Sequence, residues 1–293
     1  MPDPIARLRR FQRAVTTEVG ALDDSFLGLG RPLGVARVLN AIGSGITEVR
    51  EIRHYLNLDS GLMSRMLRSL EAEGLIALDK GAGDGRRRAA RLTMAGQREY
   101  AAYEALSDAR ARALLDRHPH PERLLAAMDT VAVALGQERV TFRETDPRDP
   151  RARACMTAYY DELAHRFDRG FDVALSKDPD AAEMIRPRGA FLLALSDGLP
   201  VGCGGLKGTD HGFAEVKRLW IAPAARGLGL SRRLMAELER IAAELGVAVL
   251  RLDTNSALPE AVALYRNTGW HEIPRFNDDP YPDLFFEKRL PAA

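Results

Sequence analysis

The chain has 293 residues, of which 46% are hydrophobic, 28% charged and only 6% aromatic, with a formal net charge of +1. At roughly 100–200 residues per domain this length favours two domains, and the composition excludes collagen-like, wholly disordered and disulfide-scaffold chains. The near balance of 42 basic against 41 acidic side chains names no partner. Cys155 and Cys203, the only cysteines, are too few for a disulfide framework and lack metal-ligand spacing. They fit a reducing cytoplasm, and no metal site is expected. No apolar run approaches the ~18 residues of a membrane helix. The opening segment MPDPIARLRRFQRAV has no signal-peptide core and is patterned as an amphipathic helix. A cytoplasmic protein without a membrane role is expected.

Residues 4–138 read as helices with one interruption. Apolar residues recur at helical spacing over 5–22, 34–42, 47–56, 60–74, 94–115 and 121–135. The interruption, LIALDKGAGDGRRRAARLTM (75–94), has two short apolar runs around a Gly- and Arg-rich tip, the pattern of a β-hairpin. After GQERV the texture changes, and TDPRDP (145–150) punctuates the chain. Strands at 140–144, 190–195, 201–207, 213–221 and 249–253 then alternate with helical patterns. The boundary falls at about residue 138, giving domains 1–138 and 139–293.

In the first domain, Val49, Ile52, Tyr55 and Leu56 form the inner face of one helix. Asn57-Leu58-Asp59 turns the chain, and Asp59 or Ser60 can cap the next helix by accepting its orphan N–H groups. That helix, SGLMSRMLRSLEAEG, is expected to turn Leu62, Met66 and Leu70 inward, with Met63 and Leu67 beside them. Its outer face offers Ser60, Gly61, Ser64, Arg65 and Arg68. Small residues admit a backbone to a major groove, and arginine reaches phosphates and guanine edges. The tip Asp84-Gly85-Arg86-Arg87-Arg88 concentrates charge suited to a minor groove. An ordinary solvated helix face, with Arg65 and Arg68 paired to Glu71 and Glu73, is the competing reading. The order of helix, turn, helix, wing and long helix resembles the MarR family of winged-helix regulators over roughly residues 5–138. The resemblance implies a mainly α winged helix-turn-helix domain that forms a homodimer on a double-stranded DNA operator. It would place Ser60, Ser64, Arg65 and Arg68 in the groove, with Asp84 orienting the wing and Arg86, Arg87 and Arg88 extending it.

The second domain is more specific. A strand runs to Ile221, Pro223 ends it, and Arg226-Gly227-Leu228-Gly229-Leu230-Ser231 leads into a helix patterned by Leu234, Leu238 and Ile241. Glycines at a strand-to-helix turn let backbone N–H groups converge on one anion, reinforced by the helix dipole. Dinucleotide-binding and P-loop patterns do not fit, lacking the third glycine and the Gly-Lys-Ser/Thr ending. The segment instead resembles the pyrophosphate loop of GNAT acetyltransferases, Gln/Arg-x-x-Gly-x-Gly/Ala. Arg226 and Gly229 match it and Ser231 departs at its last position. Downstream, Leu264, Tyr265, Gly269 and Trp270 match the family's Leu-Tyr-x-x-x-Gly-aromatic ending.

The resemblance covers about 140–293 and implies an α/β fold with a mixed central sheet and acetyl-CoA as co-substrate. It assigns cofactor binding to the backbones of Leu219 and Ile221, to residues 226–231 and to Asn255. It makes Tyr265 the proton donor to the departing sulfur and points to Glu215 as a carboxylate base. The competing readings are a packed tyrosine, a strand carboxylate paired with Lys217, and an Asn in a turn. In the tail, Phe276, Asn277 and Tyr281 are candidate walls of the acceptor pocket, or simply turn formers. The reading as a whole is a regulator fused to an acetyltransferase acting on a primary amine of a small molecule. The alternative is a regulator whose second domain only senses acyl-CoA.

Overall fold

The computed structural model describes residues 3–80, 88–175 and 181–291, and the chain divides into two compact units, 1–121 and 122–293. The first unit begins with α1 (Pro4–Val19). Asp3 caps it by accepting from the N–H groups of Ile5 and Ala6, and Gly20 ends it in the left-handed conformation. Helix α2 (Leu33–Gly43) buries Val38, Leu39 and Ile42. Helices α3 (Val49–Tyr55) and α4 (Ser60–Ala72) flank the Asn57–Asp59 turn, and the Asp59 carboxylate accepts from the N–H of Leu62 at 2.9 Å. Strands β1 (Ile76–Lys80) and β2 (Arg88–Leu92) pair antiparallel, and Glu48 bridges to Ala89 at the hairpin's edge. Helix α5 (Met94–Asp116) follows.

The inward face of α4 is rotated from the expected one. Met63, Leu67 and Leu70 are buried, whereas Leu62 and Met66 are only half-buried. Spacing alone does not distinguish two neighbouring apolar stripes on a helix this rich in Leu and Met; packing against α2 and the hairpin decides.

Helix α6 (Pro121–Gly136) lies almost wholly in the second unit, where Val133 joins the core. That unit is a seven-stranded sheet in the order β3-β4-β5-β6-β7-β9-β8. The strands are β3 (Thr141–Glu144), β4 (Ala190–Ser196), β5 (Leu199–Gly208), β6 (Ala214–Ile221), β7 (Val249–Thr254), β8 (His271–Glu272) and β9 (Leu284–Arg289). Every neighbouring pair is antiparallel except β6–β7. Strand β4 is buried on both faces, so it reads as a continuous apolar run. Ala190, Leu192 and Ala194 join the core that includes α8 (Leu230–Glu244), and Phe191, Leu193 and Leu195 join Cys155 and Met156 of α7 (Pro150–Arg166). Helix α9 (Pro259–Arg266) buries Val262 and Tyr265. Among the described residues no helix is long and apolar enough to cross a membrane.

Candidate active site

The site begins where two strands part. Strands β6 and β7 pair only at Ala214–Leu250 and Glu215–Arg251, after which β7 pairs with β9 along its whole length. On its other side β6 carries a bulge. Cys203 faces Trp220 and Gly205 faces Lys217, so Arg218 and Leu219 together oppose Gly204. Arg218 takes a positive φ of 56° there. An extra residue bends a strand and shifts its alternation. Ala214 and Val216 point into the α8 core before the bulge, Leu219 and Ile221 after it.

The cleft so opened is walled by Leu219 of β6, Tyr159 and Leu163 of α7, and Leu258, Ala261 and Tyr265 in and beside α9. Its first lobe, of about 210 Å³, reaches residues 226–231. The second, of about 110 Å³, reaches Lys217, Asp253, Asn255, Asp279 and Tyr281.

At the first lobe Gly227 and Gly229 have φ of 76° and 74°, and a Cβ at either would meet nothing within 4 Å. Both open directions are therefore space that a ligand can use. Gly229 precedes α8, whose first-turn N–H groups have no intrahelical acceptor. The Arg226 Nε donates to the Ile221 carbonyl at 2.9 Å, and its guanidinium pairs with Glu162. Glu162 also accepts from the Trp220 indole N–H at 2.9 Å. Burial works against the charge on Glu162, but Arg226 and Trp220 outweigh it and hold the carboxyl below its ordinary range. Backbone donors, a helix N-terminus and an arginine around open glycines form a donor set that fits a phosphate group.

Tyr265 lines both lobes, its ring packed 6.1 Å from Trp270 and 5.7 Å from Phe286. Burial, and secondarily the charge on Asp253, push its pKa above the ordinary phenol value, so the hydroxyl keeps its proton at neutral pH. The Lys217 ammonium lies 2.6 Å from Asp253 and 3.3 Å from Glu215. Burial opposes its charge, yet these two carboxylates prevail and raise its pKa. The Asn277 amide donates to the same Asp253 oxygen as Lys217, at 2.5 Å.

The remaining candidates divide. Glu215 does not line the cleft; it is tied to Lys217, and Asp253 and Asp279 are the carboxylic residues that line the second lobe. Asn255 fixes a loop, donating to the Tyr281 carbonyl at 2.7 Å and accepting from Ala257 at 2.8 Å. Tyr281 lines the second lobe, whereas Phe276 packs edge-on against Phe213 and Phe285 away from it. Leu228 and Leu230 turn toward the core, leaving their backbones to the loop, and Ser231 lines the first lobe. In the first unit, Ser60, Ser64, Arg65 and Arg68 are exposed on the outer face of α4, as is Arg88 at the start of β2. Asp84, Arg86 and Arg87 lie outside the described residues. No described His, Cys, Asp and Glu residues cluster as metal ligands.

Sequence reasoning misses Tyr159, Glu162 and Asp253 and takes Lys217 only as the partner of Glu215, a pair the structure contains. Only the Glu-x-Lys alternation in β6 signals this cluster; α7 carries no motif.

A model of the acetyltransferase (GNAT) family matches residues 156–270. The IAA acetyltransferase of Azospirillum brasilense is 38% identical over 116 residues, covering 38% of this chain and 74% of the relative. The uncharacterized N-acetyltransferase YjgM of Escherichia coli K12 is 33% identical over 142 residues, covering 46% of this chain and 81% of the relative. An acetyltransferase of the GNAT family from Staphylococcus aureus superposes with a TM-score of 0.47 at 18% identity, covering 52% of this chain and 99% of that one.

Proposed function

The chain belongs to the GNAT acetyltransferase family and is an acetyl-CoA-dependent acyltransferase, and from that premise we propose that it transfers acetyl to a primary amine of a small molecule. The early parting of β6 from β7 carries this reading. It leaves the backbone of Leu219–Ile221 without a strand partner on that side, so an extended ligand can pair there as an added strand does. One end of the cleft is then the anion cradle of Arg226–Ser231 and the other holds acidic and basic groups.

Acetyl-CoA supplies an acyl group activated as a thioester. Arg226, the glycines and the first N–H groups of α8 hold the pyrophosphate, and Leu219 and Ile221 align the arm that carries the thioester. The amine nitrogen loses one proton to the cluster of Glu215, Lys217 and Asp253 before it attacks, and a second as the carbon–nitrogen bond forms. Tyr265 gives its hydroxyl proton to the departing sulfur and regains one from that second loss. One proton per turnover returns from the cluster to solvent. Mixing the full chain with acetyl-CoA and an amine panel tests this: amine-dependent release of free thiol is expected, and acetyl-CoA binding without release defeats it.

The first unit, together with residues 122–138 before the sheet, is the DNA-binding half in this proposal, a MarR-like winged helix over 1–138. Helices α3 and α4 around a three-residue turn, the exposed Ser60, Ser64, Arg65 and Arg68, and the hairpin after them support that role. The exposed apolar stripe Ile5, Leu8, Phe11, Val15 and Val19 on α1 supports a homodimer formed through this unit.

A further inference from the structure

The second lobe has an aromatic wall that transfer of acetyl does not require. Phe167 and Phe171 come from the segment after α7, Tyr281 from the loop before β9, and all three are half-buried and line the lobe. The Phe171 and Tyr281 rings lie 4.6 Å apart, and Phe167 lies 6.1 Å from Tyr281 and 6.2 Å from Phe171.

The wall is fixed in place. The Tyr281 hydroxyl accepts from the Asp172 N–H at 2.8 Å and donates to the Asp172 carbonyl at 3.1 Å, which ties the two segments together. The Tyr281 carbonyl in turn accepts from Asn255. With its hydroxyl committed to backbone, Tyr281 offers the lobe its ring. Asp253 and Asp279 line the same lobe. Lys217 and Asn277 both engage the Asp253 Oδ2, and no described residue donates to its Oδ1. The space of about 110 Å³ is on the order of what one benzene-sized ring occupies.

We propose that the acceptor is an arylalkyl amine, its ring against Phe167, Phe171 and Tyr281 and its ammonium toward Asp253 and Asp279 of the same lobe. This rests on the reading of the cleft as an N-acetyltransferase site. Rings favour other rings through offset and edge contacts, and an ammonium gains from both the carboxylates and the π faces.

The test compares 2-phenylethylamine and phenylalanine with 2-cyclohexylethylamine and hexylamine on the unmodified full chain, by kcat/KM and by calorimetric affinity without acetyl-CoA. At least one arylalkyl amine should exceed both non-aromatic amines by about tenfold or more in each measure. In Phe171→Leu, which keeps an apolar side chain of similar size, that margin should collapse while acetyl-CoA affinity holds. Equal or better use of the alicyclic or linear amine overturns the inference and leaves the transferase reading standing. An unchanged margin in a folded Phe171→Leu also overturns it. Thiol release with no amine at all defeats both the inference and the reading beneath it.

Discussion

Replacing Gly229 with Ala separates the phosphate cradle from backbone strain. At φ 74° an L-residue costs about 1–2 kcal/mol, because its Cβ approaches the following carbonyl. No protein atom lies within 4 Å of that Cβ, so the fold pays this strain and no clash. Gly246, just past the end of α8, has the same φ of 74° and the same open surroundings, but it is not among the residues lining the cleft. The two variants should therefore lose similar stability in urea titrations. Their acetyl-CoA affinities should differ. Gly229→Ala puts a methyl group where the pyrophosphate approaches and disturbs its hydrogen bonds, at about 1–3 kcal/mol, or roughly fivefold to 150-fold in Kd. Gly246→Ala should change Kd by less than about twofold. Calorimetry reads both. Equal losses of affinity would mean that strain alone weakens binding, and an unchanged Kd in Gly229→Ala would remove the cradle assignment.

Glu215→Gln should slow turnover most near neutral pH, where the acceptor amine is protonated, and higher pH should partly restore the rate; a pH-independent loss in the rate profile would make Glu215 a positioning residue. Glu162, whose carboxyl is held below its ordinary range, stabilises the fold above that range and loses this contribution as pH falls through its lowered value. The stability gap between the parent chain and Glu162→Gln should therefore be constant above about pH 5 and close in stronger acid, as followed by denaturant titration across pH. For the first unit, a DNA site found by selection from random duplexes should bind less tightly as salt rises, and Arg65→Ala or Arg68→Ala should each flatten the salt slope by about one unit where the arginine meets phosphate. Failure of the full chain to enrich any site would end the regulator proposal.

In the second unit β4 is legible because burial on both faces writes it as a short apolar run at 190–195, β7 because its burial alternates, and the end of β6 and start of α8 because Pro223 and Gly229 mark them. The Arg226–Ser231 loop is legible for a related reason, since its glycines and the helix start are neighbours in sequence, whereas Tyr265 is singled out only by the resemblance to the family's ending motif. What escaped depends on contacts distant in sequence. Glu162 meets Arg226 and Trp220 only after α7 docks on the sheet, and Lys217 meets Asp253 only through the pairing of β6 with β7. The bulge is hidden because an arginine, not a glycine, takes the left-handed conformation at 218. Phe276 was placed in the pocket on its loop position alone, whereas Arg251, Phe213 and Phe285 draw it into a separate cluster. On α4 the apolar count was right and the rotation was not, since neighbouring helices choose between stripes that the sequence offers equally.

The central claim is that the cleft performs acetyl transfer with Tyr265 as its proton donor, and Tyr265→Phe tests it most directly. The substitution keeps the ring against Trp270 and Phe286 and removes only the hydroxyl. With an accepted amine, amine-dependent thiol release should fall by about 10²–10⁴ while the calorimetric Kd for acetyl-CoA stays within about twofold, because the hydroxyl acts chiefly as the sulfur departs. Undiminished turnover in the folded variant would contradict the claim.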